Sequence, residues 1–142
     1  MFSSLKGQTV IVTGASAGIG KAMALTFGRE GCNVVCVARR KSALDEVVSL
    51  IEKDGGKALA IAADVSVFDD MKKVAKTTVD TFGSIDILLS NAGVIPQVPL
   101  SKMTDQDYDY VMNINVKGTF HAVWAVMEQM KMQRYGRIIL TS

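Results

Sequence analysis

Three glycines at short spacing mark the first segment of the sequence that could do chemistry. Gly14, Gly18 and Gly20 follow the apolar run TVIVT directly. Glycine allows a tight turn in which backbone amides approach a ligand closely. A helix starting at this turn adds unpaired N–H groups and the positive end of its dipole, which suit a pyrophosphate. The spacing therefore predicts an anion-binding turn that includes Ser16; the alternative is a tight turn that binds nothing.

The residues after the turn distinguish two kinds of phosphate site. A mononucleotide P-loop has a Lys followed by Ser or Thr after its last glycine, whereas Lys21 is followed by Ala22. An apolar strand, the turn and a helix instead follow one another in the order that dinucleotide binding requires. The pattern therefore favours a dinucleotide.

Two arginines lie where the second apolar segment, NVVCVA, ends. A protein that binds NAD usually places an acid there, against the ribose hydroxyls. This sequence has Arg39 and Arg40, whose guanidinium groups can bond a 2′-phosphate and stack on adenine. The sequence therefore predicts NADP(H) rather than NAD. The alternative is that both arginines only end the strand and face solvent.

Five short segments rich in Val, Ile and Leu must position these residues. They are TVIVTG, NVVCVA, ALAIAAD, IDILLSN and RIILTS, and a helix-like stretch follows each of the first four. Continuous apolar strands alternating with helices predict a parallel sheet covered on both faces. We expect an α/β fold with one domain over residues 1–142, a Rossmann-type doubly wound parallel sheet of strand order 3-2-1-4-5.

Local signals predict where several helices begin and end. The first helix should run from the glycine turn to about Glu30. Capping-box spacing occurs at Ser42 to Asp45, Ser66 to Asp69 and Thr104 to Asp107. Left-handed glycine caps are expected at Gly31, Gly55 and Gly83.

Composition and charge narrow the range of partners. The 142 residues are 49% hydrophobic and 21% charged, which is typical of one globular domain. The net charge is only +2 and the basic residues are scattered, so we expect no nucleic-acid partner. No apolar run approaches the ~20 residues that span a bilayer, and MFSSLKGQ lacks the apolar core of a secretory signal. We expect a cytoplasmic protein without a membrane partner.

Metal and disulfide chemistry are not predicted. If Cys32 and Cys36 lie on one extended strand, they are ~13 Å apart, too far to form a disulfide. His121 is the only histidine, and no cysteine lies near it in the sequence to share a metal ion. We expect His121 to face solvent or to pack.

Four ordered motifs resemble those of the short-chain dehydrogenases/reductases. The TGxxxGxG fingerprint occurs at residues 13–20, and the Asp-Val pair after the third strand is Asp64 and Val65. The NAG motif occurs at residues 91–93 and the NVxG segment at residues 115–118. The resemblance implies an oxidoreductase that interconverts a carbonyl and a secondary alcohol of a small molecule by hydride transfer.

The resemblance also implies roles for single residues in cofactor binding. Asp64 and Val65 would contact the adenine, and Ile19 would lie near the pyrophosphate and the nicotinamide. From the residues alone, Asp64 could equally be a turn-forming or helix-capping acid. The NAG residues would stabilise the centre of the sheet beneath the cofactor; they are Asn91, Ala92 and Gly93.

The resemblance supplies two residues of the active site and leaves two unmatched. Ser142 matches the serine that positions the substrate carbonyl, and Asn115 matches an asparagine with a structural and proton-relay role. Asn115 also interrupts an apolar helical stripe, which by itself indicates a functional site, a satisfied core polar group or a helix kink. The Tyr and the Lys four residues later are absent, because Met112, Ile114 and Ile139 occupy the positions four after the three tyrosines. We expect this chain alone to be inactive.

The last strand and the last helix suggest that the fold continues. In the predicted strand order, residues 138–140 form an exposed apolar edge, which proteins normally cover. The helix over residues 104–134 is apolar on more than one face, including Trp124, and so favours partners on two sides. We expect a fold cut after its fifth strand and a homo-oligomer formed through this helix. The alternative is a catalytically inactive dinucleotide-binding or assembly module.

Overall fold

The computed structural model describes residues 4–142. Five strands form where the sequence predicts them: β1 Thr9–Thr13, β2 Asn33–Ala38, β3 Lys57–Ala62, β4 Ile87–Ser90 and β5 Arg137–Leu140. The α-helices are α1 Gly18–Arg29, α2 Lys41–Lys53, α3 Phe68–Phe82, α4 Asp105–Val111 and α5 Gly118–Gln133. A short 3₁₀-helix, Leu100–Lys102, precedes α4, and a π-helical segment, Met112–Lys117, joins α4 to α5.

All five strands are parallel neighbours in one sheet of order β3-β2-β1-β4-β5. This confirms the predicted doubly wound α/β fold. The strand order reverses beside β1. The chain first adds β2 and β3 on one side of β1 and then returns to place β4 on the other side. The carboxyl ends of β1 and β4 therefore flank the crevice at which open α/β sheets bind ligands.

The sheet separates two hydrophobic layers. Alternate residues of β1 point to opposite faces, so that Val10 and Val12 pack in one layer and Ile11 in the other. The layer with Val10 also contains Leu44 of α2, whereas the layer with Ile11 contains Val126 of α5. Burial on both faces explains why these strands read as continuous apolar runs.

The predicted helix ends are partly right. Thr104 and Asp107 form the capping box, since each side chain accepts a hydrogen bond from the other residue's backbone N–H. The other two capping boxes are wrong: α2 begins at Lys41, so Ser42 lies inside it, and α3 begins only at Phe68. The predicted glycine caps are confirmed by left-handed φ angles of +82°, +83° and +84° at Gly31, Gly55 and Gly83.

The predicted helix over residues 104–134 is not one regular α-helix. Thr104 caps α4, and Arg134 ends α5 in a left-handed conformation with φ 53°. Between α4 and α5, six residues with Asn115 among them form the π-helical segment. A π-helical turn accommodates an extra residue, which apolar periodicity does not reveal. The helical path is continuous, but its two halves present different faces.

The exposed apolar edge that the sequence predicts is present. Strand β5 pairs with β4 alone, and Ile138, Ile139 and Leu140 are 40%, 52% and 52% exposed. On α5, the side chains of Phe120 and Trp124 are also about half exposed. Within the described residues, no helix is long and apolar enough to cross a membrane.

Candidate functional site

A cleft of about 690 Å³ lies at the carboxyl ends of the first four strands. Its size falls within the range of small-molecule and cofactor sites. The structure brings ten of the predicted site residues into its wall: Gly14, Ser16, Gly18, Arg39, Arg40, Asp64, Val65, Asn91, Ala92 and Gly93. The sequence analysis did not single out six further wall residues: Ala17, Val37, Ala38, Ala63, Val94 and Ile114.

The glycine turn forms one wall and leaves little room for side chains. Gly14 and Gly18 have φ angles of +69° and +55°, which glycine adopts without strain. A Cβ on Gly14 would lie only 3.0 Å from the Cα of Ala92, and one on Gly20 would collide with the Gly14 carbonyl oxygen. The turn, the start of α1 and the β4 loop are therefore in close backbone contact, which suits the approach of a diphosphate to the amides.

Thr13 fastens this turn to the loop after β4. Its buried hydroxyl oxygen accepts hydrogen bonds from the backbone N–H groups of Asn91 and Ala92, each at 3.0 Å. The side-chain Nδ2 of Asn91 donates in return to the backbone carbonyl of Thr13 at 3.4 Å. Sequence analysis used Thr13 only as part of the fingerprint. Its position at the end of a central strand was the available signal for this bracing role.

Asn115 braces the same loop from the π-helical segment. Its Oδ1 accepts from the Val94 N–H at 2.8 Å, and its Nδ2 donates to the Val94 carbonyl at 2.9 Å. Its own carbonyl accepts from the Thr119 hydroxyl at 2.8 Å. Both the oxygen and the nitrogen of the side chain thus hold the loop behind Gly93, where a Cβ would meet Asn115 Oδ1 at 3.5 Å. This matches the satisfied polar group that the residues alone left open.

Asp64 is held as a carboxylate by its own turn. Its Oδ1 accepts from the Ser66 hydroxyl at 2.7 Å and the Ser66 N–H at 2.9 Å. The hydroxyl bond chiefly lowers the pKa of Asp64; partial burial opposes it, and the Ser66 amide and the charge of Arg39 add to the lowering. The Asp64 N–H donates to Asp70 Oδ2 at 2.9 Å. The carboxylate is therefore fixed in orientation and charged at neutral pH.

Arg39 and Arg40 lie on the rim of the cleft with exposed side chains. Over residues 4–142, neither guanidinium takes part in a salt bridge or a side-chain hydrogen bond with another residue. Arg40 also occupies the N-cap position of α2 without a side-chain cap. Both guanidinium groups are thus available to a ligand.

Four predicted site residues do not line the cleft itself. Ile19 is 65% exposed in the first turn of α1, and Gly20 is buried beneath the glycine turn. Asn115 lies behind the β4 loop, as described above. Ser142 follows β5 at the same edge of the sheet, next to Thr141, whose N–H donates to the Ser90 carbonyl.

The residues of the cleft fit a nicotinamide dinucleotide better than a metal ion. A cradle that a Cβ would fill and two uncommitted guanidinium groups match the diphosphate and phosphate groups of such a cofactor. In the part of the chain that the structure describes, no three His, Cys, Asp or Glu side chains are grouped to hold a metal ion.

Sequence comparison identifies relatives over nearly the whole chain. The sequence model of the family described as short chain dehydrogenase matches residues 8–142. The 3-oxoacyl-(acyl-carrier-protein) reductase of Synechocystis is 41% identical over 138 residues, which cover 96% of this chain and 56% of that protein. The chain spans 56% of the length of this reductase and of two curated oxidoreductases from Listeria.

Structure comparison finds the same architecture in oxidoreductases. A 7α-hydroxysteroid dehydrogenase, complexed with NADH and 7-oxo glycochenodeoxycholic acid, matches with a TM-score of 0.92 and 33% identity. The match covers 100% of this chain and 57% of that one. An NAD⁺-bound xylitol dehydrogenase matches with a TM-score of 0.94 and 33% identity, over 99% of this chain and 54% of that one.

Proposed function

The chain belongs to the short-chain dehydrogenase family, and from this premise we propose that it forms the cofactor-binding part of an NADP(H)-dependent oxidoreductase. The reaction would interconvert a carbonyl and a secondary alcohol of a small molecule. When bound, the nicotinamide supplies or accepts the hydride. The observation that carries the proposal is the cleft, where the glycine turn, Asp64 and two free guanidinium groups face one space.

The preference for NADP(H) rests on charge at the adenosine side of the cleft. Arg39 and Arg40 follow β2, where an acid would face the ribose in an NAD-binding protein. Two cations there would attract a 2′-phosphate and would gain little from a free hydroxyl. Asp64 lies close enough for Arg39 to influence its pKa, so part of the Arg39 charge is offset. Both arginines remain candidates for the phosphate contact.

Exchange of the arginines tests this preference. Arg39→Ala and Arg40→Ala should each weaken NADPH binding by about tenfold, the factor for one charge-assisted hydrogen bond, and leave NADH binding nearly unchanged. Arg29→Ala is the matched control, because Arg29 is exposed at the far end of α1 and pairs with Asp54 at 3.5 Å. Dissociation constants from nicotinamide fluorescence are the measurement. Tighter binding of NADH than of NADPH by the unaltered protein would contradict the proposal.

Two residues of this chain would serve the chemistry beside the nicotinamide. By resemblance, the Ser142 hydroxyl would donate a hydrogen bond to the substrate carbonyl, and the Asn115 carbonyl would hold a proton-relay water. None of the three tyrosines is followed four residues later by a lysine. We therefore propose that residues 1–142 bind the cofactor without turning over a ketone by themselves.

The exposed apolar surface supports a second, non-catalytic candidate. Phe120 and Trp124 on α5 and Ile139 on β5 are each at least half exposed, as in a module that docks onto other subunits. Such a module would bind dinucleotide and assemble but reduce no substrate. Oxidation of NADPH with a panel of ketones, measured on a longer native polypeptide that contains this chain, distinguishes the candidates, because only the oxidoreductase candidate predicts turnover there.

A homo-oligomer through the α4 to α5 region is part of both candidates. The half-exposed aromatic side chains of α5 are its physical basis. The cytoplasmic location inferred from the sequence stays a prediction.

A further inference from the structure

His121 is buried in α5 and hydrogen-bonded to the wall of the cleft. Its ring is only 5% exposed, although the sequence allowed a solvent-facing position. Nδ1 lies 2.8 Å from the carbonyl oxygen of Val65. A carbonyl oxygen only accepts, so Nδ1 carries the proton and donates it. The Val65 side chain in turn is 8% exposed and lines the cleft beside Asp64.

A second residue of α5 approaches the same point. Gly118, one helical turn before His121, packs so closely on Val65 that a Cβ would lie 2.5 Å from Val65 Cγ2. The two positions lie on one face of the helix, three residues apart. Gly118 thus allows the helix backbone to approach the Val65 side chain, while His121 binds the Val65 backbone.

The segment after β3 has few other anchors. The Ala63 N–H donates to the Ala38 carbonyl at 3.0 Å, which continues the pairing with β2. The Asp64 N–H donates to Asp70 of α3. Among the described residues, the His121 hydrogen bond and the Gly118 contact join this segment to α5.

Aromatic neighbours hold the imidazole in this position. The His121 ring centroid lies 5.3 Å from that of Phe68, at the start of α3, and 6.0 Å from that of Trp124. These two side chains pack against the ring whose Nδ1 faces the Val65 carbonyl.

We propose that His121 is a positioning residue for the adenosine half of the cofactor, acting through the Val65 carbonyl. The inference rests on the proposed function, because it takes the Asp64 and Val65 wall as the adenosine side of a dinucleotide site. His121 itself does not line the cleft. Its loss would let the Val65 wall move, and affinity for the adenosine half would fall while the nicotinamide half kept its contacts.

Two exchanges separate the donor from the ring. His121→Phe keeps the aromatic packing and removes the N–H, whereas His121→Asn can place an amide N–H near the Nδ1 position and removes the ring. We expect His121→Phe to weaken binding of the dinucleotide and of 5′-AMP by about the same factor, roughly tenfold for one lost hydrogen bond, with nicotinamide mononucleotide unaffected. His121→Asn should restore most of the affinity.

Gln133→Leu is the matched control on the same helix. Gln133 binds backbone groups of Ile85 at 2.9 and 3.0 Å, at the opposite end of the sheet from the cleft. This exchange should lower the melting temperature without changing the affinity for 5′-AMP. Hydrogen–deuterium exchange of residues 63–67 should increase in His121→Phe and stay unchanged in Gln133→Leu.

The outcomes separate this inference from the proposed function. If the unaltered protein binds neither NADPH nor NADH, the proposed function fails. Hydrogen–deuterium exchange of residues 63–67 still tests whether His121 fixes Val65. If the protein binds a dinucleotide and His121→Phe binds it equally well, the positioning role is wrong. Near-normal dinucleotide affinity in His121→Phe together with weak affinity in His121→Asn also contradicts the positioning role, because the ring and not the N–H would then matter. Should His121→Phe fail to fold, weak 5′-AMP binding in His121→Asn decides against the inference and near-normal binding supports it.

Discussion

At the scale of single residues, the carboxylate of Asp64 shows how the cleft uses short-range bonds to fix a charge. Two hydrogen bonds from Ser66 orient it. The Asp64 pKa is lowered below its ordinary value of 3.8, so the carboxylate form is favoured in the folded protein. The contribution of the Asp64 carboxylate to the free energy of unfolding is therefore complete at a pH above that ordinary value. It is lost as the pH falls through the lower, folded-state pKa.

Exchange of Ser66→Ala should raise the pKa of Asp64 toward its ordinary value, because the hydroxyl bond is the largest cause of the lowering. NMR titration of the Asp64 side chain measures this directly. Ser42→Ala is a suitable control, since Ser42 is exposed on α2. An unchanged Asp64 pKa in Ser66→Ala would mean that the charge is held by something other than this bond.

The sequence predicted Asp64 from a motif but not the manner in which it is held. Ser66 was expected to cap α3, and instead its hydroxyl points back to Asp64 because α3 begins two residues later. Capping-box spacing reports only which bonds are possible. Here Ser66 donates from both its hydroxyl and its N–H to Asp64 Oδ1, a local turn of the kind that competes with helix capping.

At the scale of elements, the π-helical segment Met112–Lys117 is the support for the loop after β4. Its Asn115 satisfies both backbone polar groups of Val94, in a loop that otherwise has no regular structure at this point. An unpaired, partly buried backbone group is costly, so Val94 depends on this side chain for its pairing, whereas Thr13 holds the loop at Asn91 and Ala92. The π-helical segment is thus bonded to Val94, which lines the cleft.

Asn115→Leu should lower the free energy of unfolding by roughly 2 kcal/mol, because it removes two hydrogen bonds and leaves the Val94 groups without their partner. Asn113→Leu is the control, as Asn113 lies exposed in the same π-helical segment. Urea denaturation monitored by circular dichroism gives both values. Equal stability of the two variants would show that the Val94 contacts do not hold the loop.

Helices and strands were predictable where a pattern is local. The five strands and the glycine ends of three helices follow from apolar runs and from glycine's tolerance of positive φ. The division of the 104–134 helix was not predictable, because apolar periodicity does not reveal the extra residue of a π-helical turn. The sequence left open whether His121 faces solvent or packs, because its partner, Val65, lies on another element.

At the scale of the whole molecule, the centre of the sheet and its β5 edge differ sharply in burial. Strand β1 is completely buried at the centre, while all four residues of β5 are exposed. Ile138 of β5 and Met127 of α5 line one open surface. The sequence predicted this edge from strand order alone, since the fifth strand in that order has one neighbour.

Phe120→Glu should weaken self-association by about tenfold or more, because a charge would have to be buried against an apolar partner. Thr77→Glu, on the exposed face of α3, is the control for the added charge. Sedimentation velocity over a range of concentrations measures the association. A monomer at every concentration for the unaltered protein would contradict the proposed oligomer.

The buried strand β2 also determines how this molecule responds to oxidants. Cys36 is fully enclosed, and desolvation raises the pKa of its thiol to about 12; burial likewise raises the pKa of the Cys32 thiol. Peroxides and electrophiles attack the thiolate, which is almost unpopulated at neutral pH in both residues. Both thiols are therefore poor targets for oxidants, and the sulfur atoms of Met127 and Met132, which are exposed on α5, are more accessible.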